Sequence, residues 1–289
     1  MKQFLFDCYD ILRRKDGLPR RELVWDYLRM RAAGLAPSQG SEVPIFGYSF
    51  SAASPDMALH LYREIFISQV YRFTLNTSRP LIIDCGSNVG MSLLYFKKIA
   101  PDSEVIAVEP DPAAFRMLQK NAEQNGWKDV TLCNKAISSR DGEISFYVNE
   151  NNPGDLGMST IAQGHLPKEI VVPCVRLSAL VGDREVDFLK LDIEGVETEV
   201  IDEMAGCGAL RQIKEMVIEY HHHIAGRPDC LSHMLATLEK NGFGYQMSCL
   251  DLNFRSADGF QVVWIYGYRR DGVGCRAGQS DRTVSQTND

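Results

Sequence analysis

The sequence predicts an α/β fold with a largely parallel sheet covered by helices on both faces. Two observations carry that prediction. From Leu81 onward, short apolar runs alternate with stretches of helical spacing, and such alternation calls for parallel strands joined by crossover helices. Four of the runs end in acids, Asp84, Glu109, Asp192 and Glu219, along the carboxyl edge where open α/β sheets take their ligands. At 289 residues the chain can hold one large domain, or one with a smaller appended piece.

Residues 1–43 read as a helical arm. Phe4, Leu5, Cys8, Ile11 and Leu12 fall on one helical face, and a second helical stretch runs from Arg20 to Ala33 just after Pro19. The arm is expected to pack on the main domain, with dimerisation or substrate gating as the alternative role. Ala36–Glu42 is a polar connector, and Ile45–Phe50 reads as one short strand. Ser54 and Pro55 supply a cap and a first-turn proline for a helix expected to reach Phe73.

The main domain is taken as residues 44–270. Strand Leu81–Cys85 leads into a helix from Met91, and strand Glu104–Glu109 into a helix capped by Asp111 and closed near Asn125-Gly126. Val130–Cys133 is a third strand. Ile144–Val148 and Ile170–Val175 are extended segments flanking a polar loop, Asn149 to Lys168. Strand Asp187–Asp192, helix Val196–Met204 and strand Ile213–Glu219 follow. Asp229 is expected to cap a helix carrying Leu231, Leu235 and Leu238. Segments Phe243–Ser248 and Val262–Tyr268 are joined too closely for a crossover helix, so they should pair antiparallel. Residues 271–289 are poor in apolar side chains and are expected to be a disordered tail.

A net charge of −7 argues against a broad grip on nucleic acid or an anionic membrane. The eight cysteines form no CxxC pair, and Cys85, Cys133 and Cys174 lie in apolar runs. This suits reduced thiols and a cytoplasmic protein better than a disulfide framework. No run reaches the roughly 18 apolar residues of a membrane span, and the opening Met1–Asp7 is interrupted too early for a signal peptide.

The loop Asp84-x-Gly86-x-Asn88-x-Gly90 departs from the dinucleotide pattern G-x-G-x-x-G, with Asn where a second glycine would stand. Glu109, ending the next strand, is placed to take two ribose hydroxyls. Asn134-Lys-Ala136-Ile offers backbone and a small side chain to a base ring. Acids along one edge favour a cationic ligand over a pyrophosphate, and S-adenosylmethionine carries a sulfonium and an ammonium without phosphate.

On these segments the chain resembles the FkbM family of class I S-adenosylmethionine-dependent methyltransferases. The resemblance rests on Ile83–Gly90, Val108-Glu-Pro-Asp-Pro112, Asn134–Ser138, Val175–Leu180 and above all Phe188-Leu-Lys-Leu-Asp-Ile-Glu-Gly-Val-Glu197. It covers about residues 60–220, and Ser178 stands where the family commonly has Asp. The resemblance implies a Rossmann-like sheet of seven strands, six parallel and one antiparallel, and O-methylation of a hydroxyl on a sugar, glycan or secondary metabolite. It implies cofactor contacts from Asp84, Gly86, Asn88, Gly90, Glu109, Pro110, Ala136 and Asp192.

An alcohol is a poor nucleophile near neutral pH, so a base is expected, worth about 10²–10⁴-fold. Asp192, His221 and His222 are the candidates. Glu194, Glu219 and His223 are the expected acceptor contacts, although Glu194 can equally cap the following helix. Lys190 shares a strand face with Asp192 and suits a structural strut better than an acceptor contact. Three adjacent histidines point in different directions and rarely ligate one ion; Mg²⁺ on Asp192 and Glu219 is conceivable, but no spacing demands it, and no metal is assigned. The glycine-rich loop from Asn149 to Thr160 suits a lid over the acceptor. The expected partner is a small molecule or glycan, with self-association through the arm as a further role. A silent cofactor-binding module and a nicotinamide-dependent oxidoreductase are the competing functions. The intact K-x-D-x-E-G segment opposes the first, and the missing third glycine and lack of a clear Tyr/Lys or His set oppose the second.

Overall fold

The computed structural model describes residues 2–14, 18–33, 42–149, 168–224, 226–249 and 261–270. The polar connector before Glu42, most of the predicted lid and the expected tail lie outside the described residues.

Helices α1 (Lys2–Arg13) and α2 (Arg20–Ala33) come first. Ile11, Leu23, Tyr27 and Met30 are buried in the same cluster as Phe50, Tyr62 and Phe66, whereas Leu5 and Leu12, expected on the buried face, are exposed. The Tyr27 hydroxyl donates to Asp7 at 2.5 Å, and Arg63 Nε donates to the same carboxylate oxygen at 2.9 Å. The single strand expected over Ile45–Phe50 is instead a hairpin, β1 (Glu42–Ile45) and β2 (Tyr48–Ser51). Phe46 and Gly47 turn it at φ of 50° and 82°, and Asp26 accepts the Phe46 amide at 2.7 Å, pinning the turn to α2.

Helix α3 (Pro55–Tyr62) starts as expected, with the Ser54 hydroxyl accepting from the Met57 amide at 3.1 Å. It does not reach Phe73. The chain widens into a π-helical turn over Arg63–Ile67 and leaves the helix at Gln69, whose φ is 60°. This frees Phe73 to stack on Phe188 with centroids 4.5 Å apart and sets Tyr71 beside Trp264.

In chain order the remaining elements are β3 (Leu81–Cys85), α4 (Met91–Ile99), β4 (Glu104–Val108), α5 (Pro112–Gln124) and β5 (Val130–Cys133). Then come β6 (Ala136–Ser138), β7 (Gly142–Val148), β8 (Lys168–Arg176), α6 (Leu177–Val181) and β9 (Val186–Leu191). The last are α7 (Glu197–Gly206), β10 (Ile213–His222), α8 (Leu231–Lys240), β11 (Phe243–Ser248) and β12 (Gln261–Arg269). Seven strands form the main sheet in the order β11-β12-β10-β9-β3-β4-β5. Strand β12 is antiparallel to both neighbours, and every other pair in this sheet is parallel. Strands β6, β8 and β7 make a separate three-stranded sheet.

The pleat sends successive side chains to opposite faces. Ile82, Val105, Phe188, Val217 and Trp264 join the core under α2–α5. Ile83, Ile106, Leu189, Ile218 and Ile265 join the core under α6–α8. Each such fully buried side chain contributes about 1.5–3 kcal/mol, so both faces hold the carboxyl edge rigid.

Two boundaries differ from expectation in ways that matter for the site. Strand β10 continues past Glu219 to His222, because antiparallel pairing with β12 extends to His221↔Val262 and His222↔Gln261 while its parallel partner β9 stops at Leu191. His221 and His222 are therefore strand residues. Asp229 does not cap α8, whose cap residue is Cys230; its carboxylate accepts the His223 amide instead, at 2.9 Å.

Candidate active site

The turn after β3 is built around a buried lysine. Lys190 pairs with Asp84 in the β3–β9 register. Its Nζ donates to the carbonyls of Gly86 (2.7 Å) and Cys85 (3.2 Å) and to Asp192 Oδ2 (3.1 Å). It lies 3.6 Å from Asp84 Oδ1 and 5.0 Å from the centroid of the Tyr71 ring. Burial alone would lower the Lys190 ammonium, but Asp192 and Asp84 outweigh it and hold it above its usual range. Lys190 is the strut that ties the two strand ends together.

Gly86 is required here for two reasons. Its φ is +82°, and a Cβ on it would stand 1.9 Å from the Asp192 carbonyl oxygen. Asp84 is fully buried behind the cavity wall, with Oδ2 accepting from the Ser92 hydroxyl at 2.6 Å. Gly90 (φ +93°) caps α4 against Leu118. Neither lines the cavity.

A cavity opens in front of this edge. At one end Glu109 accepts the amides of Asn88 (2.7 Å) and Asp111 (2.8 Å), one on each carboxylate oxygen. Burial pushes its carboxyl up to about 8, against the pull of those two amides. Pro110, Ala136, Ile137 and Phe146 continue the wall, and Asn134 holds the Glu109 carbonyl at 2.8 Å. Leu61, Ile65 and Tyr71, from α3 and the segment after it, close the opposite side.

Asp192, Ile193 and Glu194 form the other end. Glu194 takes φ 60° and Gly195 φ 106°, which turns the chain sharply before α7. Glu194 Oε2 lies 3.3 Å from His221 Nε2, and Glu197 Oε1 lies 2.9 Å from His221 Nδ1. Glu219 Oε1 lies 3.9 Å from His221 Nε2. Burial alone would lower the His221 imidazole, but Glu197 and Glu194 outweigh it and hold it well above its usual value. Burial, reinforced by Asp192, raises both neighbouring carboxyls, Glu194 to about 7 and Glu219 well above its ordinary value.

Among the sequence candidates, Gly86, Asn88, Glu109, Pro110, Ala136, Asp192 and Glu194 meet in one cavity. His221 and Glu219 stand behind Asp192 and Glu194 rather than in the wall. His222 and His223 are not in the cavity lining. Their Nδ1 atoms lie 3.1 and 2.8 Å from the Asp229 carboxylate, away from the cavity lining, because the added strand residues carry them past the sheet edge. Glu197 was missed, although it closes the same run as Asp192. Tyr71, Leu61, Ile65 and Phe146 were also missed, and nothing local marks them.

Residues 84–245, more than half of the chain, match the family model described as Methyltransferase FkbM domain. The chain belongs to the FkbM methyltransferase family. The span that matches the FkbM domain contains the glycine turn, Glu109, Asp192 and the Glu219–His221 strand end, and excludes α1–α3. Methyltransferase 1 of Beauveria bassiana (strain ARSEF 2860) is 29% identical over 161 residues, covering 49% of this chain and 65% of that protein. The 31-O-demethyl-FK506 methyltransferase FkbM of Streptomyces tacrolimicus is 28% identical over 64% of this chain and 82% of its own length. The 2-O-methyltransferase NoeI of Sinorhizobium fredii (strain NBRC 101917 / NGR234) is 27% identical over 51% and 64% respectively. This FkbM-family chain thus spans about two thirds of the first of these relatives. No helix among the described residues is long and apolar enough to cross a membrane.

Proposed function

We propose that the protein transfers a methyl group from S-adenosylmethionine to a hydroxyl oxygen of a sugar, glycan or secondary metabolite. The observation that carries the reading is a single cavity with Glu109 at one end and the Asp192–Glu194 turn at the other. Its lining combines apolar surface from Ala136, Ile137 and Phe146 with a few convergent polar groups, the make-up of a small-ligand site.

The residues present fit the cofactor. Each Glu109 carboxylate oxygen spends one lone pair on a backbone amide and keeps capacity for a ribose hydroxyl. Ala136, Ile137 and Phe146 offer apolar surface for a flat base. Asp192 supplies negative charge for a cationic centre, and Lys190 holds it in place. When bound, the cofactor would supply an electrophilic methyl on a sulfonium, whose leaving group would be a neutral thioether. The protein's part is to hold the acceptor oxygen in line, and such positioning is worth effective molarities of about 10⁵ M or more. Asp192 is the group that orients the acceptor hydroxyl, and the carboxylates of Asp192 and Glu194 are the sites to which its proton can pass. Two relatives support the oxygen chemistry through their names, a 2-O-methyltransferase and a 31-O-demethyl-FK506 methyltransferase.

Titration calorimetry with S-adenosylmethionine tests the reading, followed by a methyl-transfer assay over hydroxylated sugars and macrolides. Binding by the wild type and sharply weaker binding by Glu109→Ala are expected. No heat of binding with the wild-type chain would sink the reading.

A further inference from the structure

We propose that Asp192, Glu219 and His221 form a divalent-cation site at the acceptor end of the cavity. One ligand atom from each of the three lies within 4.8 Å of the others. Metal–ligand bonds of about 2.0–2.3 Å place the ligand atoms of one ion up to about 4.6 Å apart, so small side-chain shifts bring all three onto one ion.

The geometry is that of a ligand set rather than a group of solvated acids. Carboxylate-backed histidines are the common form of imidazole ligand, because the second ring nitrogen must be fixed for the first to face the metal. Here Glu197, 1% exposed and itself held by the Gly195 amide at 2.8 Å, takes His221 Nδ1 at 2.9 Å. That contact turns Nε2 toward Glu219 and Glu194, at 3.9 and 3.3 Å. The imidazole ring is buried, at 3% exposure, so it is held in this orientation by packing from every side.

Charge points the same way. Asp192, Glu194, Glu197 and Glu219 converge on this one histidine, and the Lys190 ammonium pairs with Asp192 at 3.1 Å. A divalent ion bound here would offset two of these carboxylates at once. The donor set of two carboxylates and one imidazole suits Mn²⁺ best among the hard and borderline divalent ions, with Mg²⁺ and Zn²⁺ as neighbours in chemistry.

Asp192 also lines the cavity beside Glu194, whereas Glu219 and His221 do not, so an ion held on this set would meet the acceptor from the Asp192 side. Resting on the O-methyltransfer reading, this assigns the substrate class: an acceptor with two adjacent oxygens, such as a vicinal diol, one of them the methylated hydroxyl. Asp192 then orients that hydroxyl through the ion, and Glu194 is the carboxylate left to take its proton.

The test uses Mn²⁺ with the full-length chain and neither cofactor nor acceptor. Electron paramagnetic resonance titration up to about 1 mM Mn²⁺ is expected to show one bound ion per chain. The bound ion should carry ¹⁴N modulation from one imidazole, a signature that needs no variant. Glu219→Gln, which removes charge repulsion and should fold, is expected to weaken binding at least about tenfold, and Asp229→Asn, an exposed residue beside the half-buried His222–His223 pair, should leave it unchanged. Absence of a bound ion, absence of the nitrogen signature, retention of binding in Glu219→Gln, or its loss in Asp229→Asn would overturn the site. S-adenosylmethionine calorimetry on the cation-free chain separates the two readings. Mn²⁺ binding without cofactor binding leaves this site standing and sinks the methyltransferase reading; the reverse sinks this site alone.

Discussion

Gly86 and Asp192 meet so closely that no side chain fits between them: a Cβ on Gly86 would stand 1.9 Å from the Asp192 carbonyl oxygen. The contact joins the end of β3 to the end of β9, where the Asp192 amide also donates to the Cys85 carbonyl at 3.2 Å. Gly86→Ala must therefore push the two strand ends apart while also placing a Cβ at φ +82°. The left-handed conformation alone costs about 1–2 kcal/mol, and the displaced backbone adds to it. Chemical denaturation should show a loss above that figure, and calorimetry a loss of S-adenosylmethionine binding. Wild-type stability in Gly86→Ala would refute this account of the turn.

Lys190 makes the complementary prediction. Removing its charge strands Asp84, which is fully buried, and leaves Asp192 without its ammonium partner. Breaking a buried pair from one side typically costs about 3–5 kcal/mol. Lys190→Met should fall in that range by urea denaturation, and Lys190→Met with Asp84→Asn should recover part of the loss. Equal stability of the single and double variants would mean that Asp84 is not what Lys190 supports.

These two positions also mark what the sequence could tell. Gly86, Glu109, Ala136 and Asp192 were legible because strand-end chemistry is local: an acid or glycine closing an apolar run declares its place on the edge. The alternation of β9 likewise put Lys190 and Asp192 on one face. What could not be read depends on partners distant in the chain. Strand β10 runs on to His222 only because β12 pairs with it, and that extension sets His222 and His223 against Asp229, outside the cavity lining. Tyr71 reaches the cavity only because the helix begun at Pro55 widens at Arg63 and breaks at Gln69. The spacing of Tyr62, Phe66, Val70 and Phe73 is compatible with an unbroken helix, so the break carries no periodic signature. The Phe46-Gly47 turn is held by Asp26, twenty residues away.

Glu109 should show itself in the pH dependence of stability. Its folded-state carboxyl is raised to about 8 by burial, above its ordinary value of 4.5. A raised carboxyl binds its proton more tightly in the folded state, so its contribution is fully present below pH 4.5 and is lost as pH rises through about 8. Glu109→Gln, which cannot ionise, should therefore gain on the wild type between pH 5 and pH 9, by a few kcal/mol on the scale of about 1.4 kcal/mol per unit of pKa. Denaturation curves at matched pH values measure the difference. A gap that stays constant, or that moves in favour of the wild type at high pH, contradicts the burial argument.

The final prediction separates the two histidine–carboxylate clusters by function. Asp192 lines the cavity, whereas His222 faces Asp229 outside the lining. Asp192→Asn keeps the shape of the side chain and can still accept from Lys190, so its fold should survive. If Asp192 orients the acceptor hydroxyl as proposed, the variant loses that charge, and methyl transfer should drop by about 10²–10⁴-fold. His222→Ala removes a half-buried ring from a surface pair and should leave the transfer rate within about threefold of wild type, the scale of a change that touches no reacting group. Single-turnover assays with saturating S-adenosylmethionine read both variants without interference from cofactor affinity. Full activity in Asp192→Asn would remove Asp192 from the chemistry, and a severe loss in His222→Ala would mean that the acceptor reaches the Asp229 side of the sheet edge.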